Sequence, residues 1–214
     1  MGESTMRSGI IAFAALAMLP GGAEAQPLTI VEVSAPAINC VFNATCKITV
    51  FDTSGNILLP TIVPGTAWLQ SRTYPGQPGT PAAGLTGYEY RVSLTQASGQ
   101  ADCIMGFTVN FGPHKPLAYK GNTPADVFVT TGGAIGSIGL KSAVRFGDVI
   151  EFTLKSPLCL NGPADATNTT FFIGLAAAAA PMHVTSQISV VGAILGADAR
   201  VPTHAVAQDP PGGL

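Results

Sequence analysis

The chain reads as an all-β protein, an antiparallel β-sandwich of about nine to ten strands in immunoglobulin-like or jelly-roll-like order, with a closed barrel as the other solution. Apolar and polar side chains alternate in run after run. Gly, Pro, Asn and Ser punctuate those runs at short intervals. No window of a dozen residues carries the 3.6-residue period of an amphipathic helix.

Tyr88-Glu89-Tyr90-Arg91-Val92-Ser93-Leu94-Thr95 alternates without a fault. Successive strand side chains point to opposite faces, so the tyrosines, Val92 and Leu94 belong to the core and Glu89 and Arg91 to solvent. Cys103, Met105, Phe107, Val109 and Phe111 repeat the pattern, and so do Ile150, Phe152 and Leu154. The stretches CKITV, ADVFVTT, TTFFIGL and HVTSQISVV add β-branched and aromatic runs. Turn chemistry separates them at Ser54-Gly55-Asn56, Ser98-Gly99, Gly112-Pro113, Gly121-Asn122, Gly147 and Asn161-Gly162-Pro163. Leu175–Ala180 is too short for a stable helix and precedes Pro181, so it reads as a strand end running into a connector.

Residues 1–25 read as a signal peptide: Arg7, an apolar run at 10–19, then small residues before Gln26. That run is half the length of a membrane span. The folded unit is expected over 26–195, and 196–214 as a flexible C-terminal tail ending in Pro-Pro-Gly-Gly. Export makes the expected location secreted or extracellular, with the periplasm or a cell surface as variants, and leaves no membrane span after the leader.

Without the leader the chain holds ten acidic and nine basic residues. With no basic stripe, the electrostatic source of nucleic-acid binding is missing. Cys40, Cys46, Cys103 and Cys159 form an even set in an exported chain. The close spacing favours a Cys40–Cys46 bond around VFNAT, and Cys103–Cys159 follows by elimination. C-x5-C with no nearby His is not a zinc pattern, so neither metal nor cofactor is expected.

Catalytic signatures are weak. His114, His183 and His204 are scattered, and Gly136-Ser137-Ile138-Gly139 lacks the frame of a nucleophile elbow. Gly132–Gly139 reads as a glycine-kinked strand in which two layers approach closely, not as a phosphate loop. Asp52–Asn56 reads as a hairpin turn, not a calcium loop. Asn43-Ala44-Thr45 and Asn168-Thr169-Thr170 match the glycosylation acceptor pattern.

One segment invites a binding reading. TYPGQPGTPAAGLTG, residues 73–87, is long for a hairpin connection and rich in Pro and Gly. Trp68, Arg72, Tyr74, Tyr88 and Tyr90 flank it, although Trp68 and the last two tyrosines read as core. The expected ligand-binding set is Arg72 and Tyr74 as contacts, with Glu89 and Arg91 as solvent-facing neighbours. The function expected is a non-catalytic module acting by binding or assembly, its partner a carbohydrate or a surface protein, with self-association as a structural subunit beside it. A secreted hydrolase of an ester or glycan is the alternative from another class.

Overall fold

The computed structural model describes residues 24–35, 37–59, 65–95, 103–119, 123–132, 135–159, 168–178, 182–192 and 201–209. The expected leader lies outside the described residues up to position 23. Among the described residues are twelve strands and one short helix: β1 (Gln26–Pro27), β2 (Ile30–Ser34), α1 (Asn39–Phe42), β3 (Phe51–Leu59), β4 (Gly65–Pro75), β5 (Thr86–Ser93), β6 (Ile104–Asn110), β7 (Val127–Thr131), β8 (Leu140–Phe146), β9 (Val149–Leu158), β10 (Phe172–Ala177), β11 (Met182–Gly192) and β12 (Val201–Asp209). They form two six-stranded sheets, in the orders β1-β8-β9-β6-β11-β12 and β2-β7-β10-β5-β4-β3. All neighbours are antiparallel except β2 and β7. The fold is a sandwich and not a closed barrel.

The alternating strands build the dry layer between the sheets. Tyr88, Tyr90, Val92 and Leu94 from the β5 segment meet Phe107, Val109 and Phe111 from the β6 segment and Ile150, Phe152 and Leu154 from β9. Tyr88 stands edge-on to Phe111, with ring centres 5.2 Å apart. Each such side chain, fully buried, contributes about 1.5–3 kcal/mol. Both disulfides are formed, Cys40–Cys46 and Cys103–Cys159. The second ties the residue before β6 to the residue after β9, two strands that pair directly.

Several local expectations shift. Pairing of β6 with β9 slips between Ile104 and Gly106. This bulge resets the parity, so Ile104 is buried and Met105 only half-buried. CKITV is not a strand, and Asp52–Asn56 is not a turn: β3 runs straight through it, paired with β4 from Phe51↔Thr73 to Leu59↔Gly65. Partnering by β4 outweighs the local turn chemistry of Ser54-Gly55-Asn56. Within the expected tail, residues 201–209 form β12, in register with β11 from Met182↔Asp209 to Val190↔Val201. The described residues of Gly132–Gly139 form a connection and not the expected strand, β8 beginning only at Leu140, but Gly136 makes the expected close approach, since a Cβ there would lie 2.2 Å from the Thr170 carbonyl oxygen.

The second sheet is covered on its inner face and over part of its outer face. A second apolar cluster, including Val33, Ile38, Val41, Phe42, Tyr74, Ala82, Leu117 and Phe128, lies on its outer side. Helix α1, which carries Cys40 of the Cys40–Cys46 bond, and the β4–β5 connection form part of that cover. The connection is no slack loop. The amides of Gln77 and Ala82 donate to the carbonyls of Phe42 and Val41, at 2.8 and 3.1 Å. They satisfy acceptors at the end of α1 that have no partner within the helix.

Candidate functional site

The register of β3, β4, β5, β10 and β7 sets one row of outer-face residues side by side: Asp52, Arg72, Glu89, Gly174 and Phe128. A second row starts from Gln70, directly opposite Arg91, with Phe172 opposite Thr130 further across. The polar side chains that alternation throws outward from β4 and β5 therefore meet one another and the ring of Phe172.

Glu89 is 1% exposed, so the expectation that it faces solvent does not hold. Its carboxylate accepts from Arg72 Nε at 2.5 Å and from Thr130 Oγ1 at 3.1 Å, and it also bonds the Tyr74 hydroxyl. Gly174 supplies room beside it: a Cβ there would lie 3.3 Å from Glu89 Cγ. A buried carboxylate is tolerated because its charge is paired and its oxygens are bonded.

Tyr74, expected as a contact residue, is likewise buried, at 3% exposure. Its ring meets Phe42 edge-on at 4.8 Å and lies over Gly87, its cross-strand partner. Burial first, then the charge of Glu89, raises its hydroxyl well above the ordinary tyrosine range, with Arg72 acting in the opposite sense. The hydroxyl thus stays a donor. A Cβ on Gly87 would sit 2.4 Å from Tyr74 Cε2 and 3.0 Å from Phe42 Cε1. Gly87→Ala is therefore expected to displace the Tyr74 ring and cost about 1–3 kcal/mol in chemical denaturation, the range for overpacking a filled core.

Arg72 and Arg91 are the two members of the expected set that reach the surface. Both guanidinium carbons lie over the Phe172 ring, at 3.6 and 4.7 Å from its centre. Arg72 is held by Glu89, and its side chain keeps 21% of its exposure. Arg91 is half-buried and donates from Nη1 to the Ile135 carbonyl at 2.9 Å. No carboxylate among the described residues forms an ion pair with it. Burial first, then the neighbouring charge of Arg72, lowers its pKa from the usual arginine value, while Asp52 raises it. Gln70 Nε2 donates to Asp52 Oδ2 at 2.5 Å, while Gln70 Oε1 and Arg91 Nε are buried without a hydrogen-bond partner.

Phe172 is the participant that sequence reasoning missed. It was legible only as a strand aromatic. Trp68, expected in the core, is half-buried. A second polar contact also escaped notice: His114 Nε2 lies 2.9 Å from Asp126 Oδ1, whose Oδ2 accepts the Thr29 amide at 2.8 Å. The other ring nitrogen, Nδ1, is buried without a partner, so His114 meets a carboxylate but neither serine nor cysteine. Among the described residues no cluster of His, Cys, Asp and Glu is arranged to hold a metal ion. No helix among them is long and apolar enough to cross a membrane. Comparison of the chain with protein-family models, curated proteins and solved structures finds no match.

Proposed function

We propose that the protein is an exported, non-catalytic β-sandwich module that acts by contact outside the membrane, through the outer face of its second sheet. The observation that carries this reading is the pair of guanidinium groups on Phe172, partly exposed and held by Glu89 and the Ile135 carbonyl. Contact residues mounted on paired strands are placed more firmly than residues at a loop tip. Arginine is enriched at recognition surfaces because its planar donor fork loses little freedom when bound. The contact set thus narrows to Arg72 and Arg91, while Tyr74 and Glu89 support them from below.

Two disulfides call for an oxidising compartment. The first strand begins at Gln26, the residue after the expected cleavage point, which supports export with removal of the leader.

The test is a screen of the oxidised protein against glycans and intact cell surfaces, with Arg91→Ala run in parallel. Arg91 is the better probe because Arg72 also neutralises Glu89. The expected result is a specific ligand whose affinity falls about tenfold or more in the variant, the effect of losing a charge-assisted contact. A ligand bound equally by both proteins would reject this face as the contact surface.

A further inference from the structure

The outer-face patch holds two guanidinium groups; among the described residues Arg72 forms an ion pair with Glu89, and Arg91 forms none. Arg72 spends Nε on that bond, and Arg91 spends Nη1 on the Ile135 carbonyl. A guanidinium carries five N–H donors, more than these two bonds use on either side chain. Both side chains are only partly buried, Arg72 keeping 21% of its exposure, while Arg91 Nε is buried without a partner. Two like charges on one ring therefore present part-exposed donor groups above a packed floor, in which Phe172 is buried in β10 and Glu89 is held by Thr130.

We propose that Arg72 and Arg91 form a receptor for a single carboxylate presented by an external ligand. Carboxylate oxygens match the planar donor fork of a guanidinium, and one such group placed across both arginines relieves their mutual repulsion. A monoanion fits better than a dianion, because Glu89 lies directly behind the site and Asp52 stands beside Gln70 in the neighbouring strand. The rest of the chain is nearly neutral, so the attraction is local and salt-sensitive. This proposal rests on the reading of the outer face as the contact surface and adds the chemistry of what it contacts.

The test follows the side-chain Nε–H resonances of Arg72 and Arg91 by NMR in the oxidised full chain. Sodium glucuronate, its neutral methyl ester, N-acetylglycine and inorganic phosphate are titrated in turn. The expected result is a saturable shift of both resonances with the two carboxylic acids, weakened by salt, and none with the ester. Arg91→Gln should weaken the acids about tenfold or more, and Arg91→Lys, which keeps the charge but loses the fork, by less. Tighter binding of glucuronate than of N-acetylglycine assigns a sugar as the source of the carboxylate, and the reverse assigns a peptide.

Equal binding of acid and ester, tighter binding of phosphate than of the acids, undiminished binding in Arg91→Gln, or the absence of any shift overturns the proposal. A ligand from the surface screen that depends on Arg91 but survives esterification of its carboxylates would leave the contact surface standing and remove only the carboxylate.

Discussion

Glu89→Ala should lower the stability of the folded protein by about 3 kcal/mol, the lower part of the range for removing one member of a buried ion pair. The carboxylate is the common acceptor of Arg72, Thr130 and Tyr74. Removing it takes from the Arg72 guanidinium over Phe172 the carboxylate that pairs with it, and from the buried Tyr74 hydroxyl its acceptor. The lower part of the range applies because Arg72 keeps some access to water. For a chain of this size the loss corresponds to a fall of roughly 10 °C in the unfolding midpoint. Glu89→Gln keeps an oxygen acceptor and should lose less. Thermal and denaturant unfolding of the three proteins measures both effects. A loss below about 0.5 kcal/mol for Glu89→Ala, the usual ceiling for surface substitutions, would mean that Glu89 is the solvent-facing residue its place in the alternation suggests.

The two disulfides should differ in what they contribute. Cys103–Cys159 closes a separation of 56 residues and Cys40–Cys46 one of 6. Restricting the unfolded chain by these loops is worth about 4 kcal/mol for the long one and roughly 2 kcal/mol for the short one. Replacing both cysteines of a pair by serine isolates each bond. The long-range variant should suffer the larger drop in denaturation midpoint. The short-range variant should keep the inter-sheet core and instead loosen α1 from the β4–β5 connection, read as faster amide exchange at Gln77 and Ala82, whose protons are bonded to α1 carbonyls. Equal losses for the two variants, or no change in exchange at Gln77 and Ala82, would contradict this division of labour.

What could be read in advance was whatever depends on a residue and its immediate neighbours. The period of two in Tyr88–Leu94 named the inward side chains correctly, because strand geometry alone decides which neighbours share a face. The even cysteine set and its spacings led to the disulfides found. The same local reading failed at Asp52–Asn56, where pairing with β4 carries a turn-rich segment through as strand. It failed again in the stretch 201–209, where pairing with β11 makes a strand of residues with little apolar character of their own.

The candidate site shows the division most sharply. Residue types alone singled out Arg72, Tyr74, Glu89 and Arg91 as a group, and in the fold they are indeed neighbours, since β4 and β5 pair directly. Alternation also put Glu89 and Arg91 on the face opposite the tyrosines. It could not reveal that this face is partly covered in turn, by α1, by the β4–β5 connection and by a second apolar cluster drawn from distant segments. Which side of a strand a residue occupies is written in its parity, but whether that side meets water depends on what else packs there. Only the assembled sheets, by bringing Phe172 under two arginines and burying Glu89 behind them, decided which of these polar residues are buried and which reach the surface.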